Sequence, residues 1–259
     1  MRPQIVVSDA FVDFADSCGV LTASALLARL AKGTVDAEET FFAAQGLCEA
    51  EKAQLREAAR AAGVESAFAE WMSLSRSLPA PRTLTHKHRI ENALVGRPAL
   101  CADGIWRAEL VMDARNELMS DHVTGQHVQG MVLVEACRQM FLAVSELAHM
   151  APPASGGGRR TYVVFNSMNV GFKAFTFPLP ATVEYRATSV DRSREDRVAI
   201  EAELAVVQNG EVTMTLSTGY TLFEPAKLQP KEIARGVAAV EALKARLLEP
   251  ARAVAEAAE

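Results

Sequence analysis

The sequence predicts an α+β fold in which an antiparallel sheet wraps around one central helix, flanked by a helical N-terminal region and a C-terminal helix. Three observations lead there. Residues 130–150 form one long helical run, apolar nearly all round from 131 to 144, and a helix of that kind must be enclosed. Two strand-like stretches precede this run, and four more follow it at hairpin spacing. An antiparallel sheet has one face to bury, so wrapping it around the helix satisfies both elements at once.

Each element follows from local pattern. Residues 5–77 read mostly as helix: SALLARLAKG is amphipathic and stopped by Gly33, while DAEETFFAAQGL and EAEKAQLREAARAAG repeat the pattern. AFAEWMSLSRSL adds a short apolar helix. The prolines of LPAPRT (78–83) then break the chain. HKHRIENALVG and IWRAELVMD alternate as strands, with ADG turning between them. After the long helix, APPASGGGRR reads as an exposed loop. TYVVFNSMNVGFKAF, ATVEYRATSVD, RVAIEAELAVVQ and EVTMTLSTGYTLF are the four later strands. Asn209-Gly210 joins the last two, because that pair tolerates the positive φ of tight hairpin turns. The tail from Lys231 is an amphipathic helix, suited to the surface or to dimer packing. The expected organisation is a helical region over 1–80, the sheet-and-helix domain over 84–225 and the terminal helix over 230–259.

Composition narrows the function. The net charge is −5 and Lys and Arg are not clustered, which argues against nucleic acid as a partner. The four cysteines lie far apart without a CxxC pair, so neither a zinc knuckle nor a disulfide framework is expected, and a reducing cytoplasm fits. The N-terminus acquires acids before any apolar core of signal-peptide length, and no run of about 18 apolar residues is present to span a membrane.

The chemistry concentrates in DHVTGQHVQGMVLVEACRQMFLAV. Glu135, Arg138 and Gln139 interrupt the apolar helix at i, i+3 and i+4, on one face. Buried charges need partners, so the stripe is either a structural ion pair or the lining of a cavity. The preceding loop supplies His122 and His127 among glycines. Gly125 and Gly130 permit close backbone approach, and Gly130 stands where the first amides of the helix could face a thioester carbonyl oxygen. A histidine and a carboxylate beside such amides make an acid/base pair. Cys137 points elsewhere and reads as a small buried hydrophobe. His86 and His88 alternate on a predicted strand and share a face. No third metal ligand accompanies them, so no metal is expected and His86 or Lys87 is placed at the site edge or in solvent.

This segment is similar to the active-site motif of β-hydroxyacyl-carrier-protein dehydratases, which carry a His in a Gly/Pro-rich loop and an acid on the next helix. His122 and Glu135 match those two positions, and Gln139 a glutamine one turn beyond. The D-H-x-x-G-Q-H and E-A-x-R-Q elements resemble the AfsA family more closely, the A-factor biosynthesis hotdog proteins. THKHRIENALVG and FNSMNVGFKAFTFPLPATVEYRA extend that resemblance over residues 84–223. It implies a hotdog fold and transfer of a β-ketoacyl group from an acyl carrier protein to a hydroxyl acceptor such as dihydroxyacetone phosphate, in γ-butyrolactone signal or secondary-metabolite biosynthesis. His122 and Glu135 would then be catalytic. Gly125, Gln126, His127, Gly130, Arg138, Gln139, His86 and Lys87 would bind substrate, with Arg138 on the acceptor phosphate. No cofactor is implied beyond the substrate's own phosphopantetheine or CoA. One D-H…E motif stands where the family carries two repeats, which implies a homodimer sharing its sites. A hotdog dehydratase or thioesterase is the second reading, and a non-catalytic acyl-binding protein the third.

Overall fold

In a computed structural model, residues 2–74, 77–121, 124–149 and 162–256 are described. The first surprise lies in the N-terminal region. Strands β1 (Arg2–Val7), β2 (Leu21–Thr22) and β3 (Glu39–Ala43) form a parallel sheet in the order β2-β1-β3. Helices α1 (Val12–Cys18), α2 (Ala23–Ala31) and α3 (Glu49–Ala61) accompany it. The expected helices over SALLARLA and EAEKAQLREAARA are present, but ETFFA is a strand. Its Thr-Phe-Phe core suits a pleated surface, and Phe41 and Ala43 are buried beside β1. The region is therefore α/β rather than mostly helical. The segment expected to be a short apolar helix gives only a 3₁₀ turn, Glu65–Phe68, followed by turns.

The stretch HKHRIENALVG is not a strand either. A four-residue helix, α4 (Arg82–Thr85), ends at His86, which takes the left-handed conformation with φ of 58°. A 3₁₀ turn at Ile90–Asn92 follows, and only Val95 makes a β-bridge, to Leu110. The three successive residues His86, Lys87 and His88 thus leave a turn and do not share a strand face.

The sheet is otherwise as expected. Strands β4 (Ala99–Leu100), β5 (Trp106–Glu109), β6 (Tyr162–Phe172), β7 (Thr182–Asp191), β8 (Arg197–Gln208) and β9 (Glu211–Phe223) are antiparallel in the order β4-β5-β7-β8-β9-β6. Asn209 and Gly210 take positive φ values of 52° and 80° in the turn between β8 and β9. After the short α5 (Glu117–Asp121), the central helix α6 (Gly130–Val144) lies against this sheet. Its Val132, Ala136, Met140 and Phe141 are fully buried, in one core cluster with Tyr185, Ile200 and Leu216. Each large apolar side chain buried this way contributes about 1.5–3 kcal/mol, so the helix–sheet contact is the main stabilising layer. The helix widens to a π-turn over Ser145–His149, where the buried hydroxyls of Ser145, Tyr220 and Tyr185 form a chain with 3.0 Å links. The final helix α7 (Pro225–Glu256) is exposed over residues 229–247. No helix among the described residues is long and apolar enough to cross a membrane.

Candidate active site

Two groups of candidate residues occupy different sides of α6. The first is the polar stripe. Glu135 accepts from Arg138 through Nε (2.7 Å) and Nη2 (2.8 Å), pairs with Lys87 Nζ at 2.7 Å, and takes a further bond from Gln139 Nε2 at 3.1 Å. Burial alone would raise its pKa. The Arg138, Lys87 and Gln139 bonds outweigh that and hold the carboxyl below its ordinary value. Gln139 is fully buried, and its Oε1 accepts from Leu94 N–H while its Nε2 also donates to Asn92 C=O, both at 2.8 Å. It fastens the chain segment after α4 to the central helix. His86 Nε2 lies 2.7 Å from Glu146 Oε1 farther along the same helix.

The second group lies at the amino end of α6. A cavity of about 420 Å³ opens there, lined by His127, Gly130, Leu133, Phe172, Lys173 and Phe175 among others. The His127 ring packs on Phe175 with centroids 4.6 Å apart. Its backbone is held by Thr124, whose Oγ1 donates to His127 C=O and accepts from its N–H. Among the described residues no side chain caps α6, and the first amides of a helix lack the usual intrahelical partner, so the Gly130 end places donors beside the cavity. A Cβ on Gly130 would land 2.8 Å from the exposed Phe172 ring, so any larger residue there would have to push that ring aside.

The structure therefore brings Lys87, Glu135, Arg138 and Gln139 together, and separately His127 with Gly130. Glu135 follows Leu133 by two residues, about 200° around the helix, and is not among the cavity's lining residues. Gln126 and Gly125 face the N-terminal module instead. His122 falls outside the described residues. Cys137 is buried among apolar groups and its thiol is pushed up to about 12, which suits packing and not nucleophilic attack. Lys173, Phe172 and Phe175 were missed by sequence reasoning. The apolar-aromatic run FKAFTF past the end of β6 was their signal, legible only once that strand is placed beside Gly130.

The matching family model is the A-factor biosynthesis hotdog domain, over residues 73–224. The chain belongs to the AfsA hotdog family. The parallel-sheet module before residue 73 and α7 lie outside the matched span. Membership places this protein among acyl-thioester-related hotdog enzymes. No curated protein matches. Among solved structures, a putative thioesterase from Ralstonia eutropha, a phenylacetic acid degradation-related protein, is 14% identical over 48% of this chain and 80% of its own, with a TM-score of 0.35. A Pseudomonas aeruginosa protein described as a probable thioesterase is 19% identical over 57% and 99%, with a TM-score of 0.37. A Bacillus halodurans protein solved with CoA is 12% identical over 49% and 73%, with a TM-score of 0.32. Scores this low leave the fold to the sheet topology and the family match.

Proposed function

We propose that this protein is an acyltransferase that takes a β-ketoacyl group from a pantetheine thioester, carried by an acyl carrier protein or CoA, and passes it to a hydroxyl acceptor. The observation that carries the reading is the apolar cavity at the amino end of α6. Its aromatic and aliphatic walls suit an acyl chain, and the helix amides suit the oxygen that gains charge when a thioester carbonyl is attacked. The acceptor oxygen forms the new C–O bond, the C–S bond breaks, and the acceptor's proton goes to the departing pantetheine thiolate. His122 is the base that takes that proton in transit, as the family resemblance implies. His127 and Lys173 stand at the rim, where Lys173 suits the phosphate of the pantetheine arm.

Glu135 supports transfer over dehydration. A dehydratase needs an acid to protonate its departing hydroxyl, and Glu135 is held ionised by two cations. An ionised carboxylate orients a histidine or an acceptor hydroxyl. Arg138 keeps Nη1 without a bond among the described residues, a position for an acceptor phosphate.

We infer that the working unit is a homodimer. Strand β6 is an edge strand of eleven residues with Phe165, Met168, Val170 and Phe172 exposed, the kind of edge that a second chain covers. Met131, also exposed, shares the Glu135 face of α6. A partner across that face offers a way for the Glu135 stripe of one subunit to meet the cavity of the other.

Intact mass spectrometry of a β-ketoacyl carrier protein incubated with this protein tests the proposal. Loss of the acyl group only when dihydroxyacetone phosphate is present supports transfer. Loss without an acceptor means hydrolysis, and conversion of a β-hydroxyacyl substrate to its dehydrated form means elimination.

A further inference from the structure

The N-terminal module is built like a small ligand-binding α/β domain, yet its usual ligand position is taken. In open parallel sheets the ligand crevice lies beyond the carboxyl ends of the strands. Here those ends, after β1 and β3, grip the hotdog domain. Gln45 donates through Nε2 to Leu110 C=O (2.6 Å) and accepts from Met112 N–H (2.9 Å), while its own N–H donates to Pro178 C=O. Gly46 exchanges bonds with Met112 and Ala114. Val7, Phe11, Phe14 and Ala44 belong to the hotdog core itself. The module is a fitted part of the domain and not an appended one.

Its helix α1 reaches both walls of the acyl cavity. On the loop that leads into α6, Phe14 N–H donates to Gly125 C=O at 2.9 Å. Gln126 Nε2 donates to Asp13 C=O (3.0 Å) and to Ser17 Oγ (2.9 Å). Gly125 sits at φ of 72°, and a Cβ there would overlap the Asp13 carboxylate, so glycine permits the close seating. On the opposite wall, Phe14 stacks on Phe177 with centroids 5.5 Å apart, immediately after Phe175 and Thr176 of the cavity lining. The two walls are also tied to each other, Val128 N–H to Thr176 C=O at 2.8 Å.

Resting on the reading of this cavity as the acyl site, we infer that α1 is a brace that sets the spacing of its two walls. Gln126, Ser17 and Phe14 are then positioning residues, and the width of the acyl slot is fixed from the N-terminal module. Gln126, expected from sequence to touch substrate, instead serves as the tie.

The test uses the full chain with Gln126→Ala, Ser17→Ala and the double variant. Two readouts are taken: amide hydrogen exchange over residues 124–130 and β8, and steady-state kinetics with octanoyl- and acetyl-pantetheine in the presence of dihydroxyacetone phosphate as acceptor. Gln126→Ala is expected to speed exchange in 124–130 by about tenfold while β8 is unchanged. KM for the octanoyl thioester should rise about tenfold with kcat nearly constant, and the acetyl thioester, too short to reach both walls, should be unaffected. The double variant should add little to Gln126→Ala, because that substitution already removes the bond to Ser17. Unchanged exchange over 124–130, or equal losses for octanoyl and acetyl substrates, overturns the brace. A wild-type protein that turns over neither thioester defeats the acyl reading alone, and the exchange result then decides the brace by itself.

Discussion

The polar stripe of α6 and the amino end of the same helix lie within about two and a half turns of each other and use their hydrogen-bonding groups in opposite ways. In the stripe the carboxylate and the amide are both partnered. Glu135 is held by Lys87, Arg138 and Gln139, and Gln139 closes the loop by binding the backbone on either side of Ala93. At the amino end the helix lacks a side-chain cap among the described residues, the backbone comes close to Phe172, and space is left over. A satisfied polar cluster rigidifies, whereas helix amides beside an open cavity suit a ligand. The contrast assigns stability mainly to the stripe and substrate binding mainly to the amino end.

Substitutions can break or sharpen that assignment. The largest expected effect is on stability. Gln139→Leu leaves the Leu94 N–H and the Asn92 C=O without their partner, and we expect a loss of about 2–4 kcal/mol in urea unfolding. Acyl-thioester affinity of the folded protein should stay within about twofold of wild type, since Gln139 does not line the cavity. A stability change below about 0.5 kcal/mol would erase the contrast.

Glu135→Gln comes next, at about 1–2 kcal/mol, because Lys87 and Arg138 lose their counter-charge while both remain partly hydrated. The pH dependence has a definite sign. The folded pKa is lowered from its ordinary value of 4.5, so the carboxylate's contribution is complete above that value and disappears as pH falls through the folded pKa. Unfolding curves should therefore show the wild type losing its advantage over Glu135→Gln only on the acid side. An equal gap at low and neutral pH would contradict the ion-pair account.

At the amino end the signs reverse. Gly130→Ala should leave stability unchanged or raise it by up to about 1 kcal/mol, since alanine is the better helix former. It should weaken acyl-thioester binding about tenfold, because the new methyl pushes Phe172 into the cavity. The smallest effect is expected from Lys173→Ala: a roughly threefold loss of affinity for phosphopantetheine thioesters that fades at high salt, as for any exposed charge contact. Titration calorimetry at two ionic strengths checks it.

Much of this was legible in the chain. The apolar run of α6, the hairpin at Asn209-Gly210 and the strands β7 to β9 follow from period and turn chemistry. The family was legible in D-H-x-x-G-Q-H and E-A-x-R-Q. The failures have physical causes. ETFFA is too short for its period to separate strand from helix, and its neighbours in the parallel sheet are supplied from residues far away in sequence. His86 was misplaced because a non-glycine residue with positive φ ends a one-turn helix there, which alternation cannot show. In the site, the i, i+3, i+4 spacing correctly joined Glu135, Arg138 and Gln139, and Lys87 was found as a candidate without its partner. What spacing could not tell is that this face points away from the cavity. The cavity's other wall, Phe172 to Thr176, comes from a strand more than forty residues away, and its apposition is a fact of topology.

The most direct test is a calorimetric titration of octanoyl-pantetheine into wild type, Ala174→Trp and Glu135→Gln, side by side. Ala174 lines the cavity and is only partly buried, so tryptophan there fills the space without opening the core. The account predicts that binding falls by more than about tenfold in Ala174→Trp and persists in Glu135→Gln. Binding that survives the filled cavity, and is lost with Glu135, would place the acyl group on the polar stripe and contradict the account.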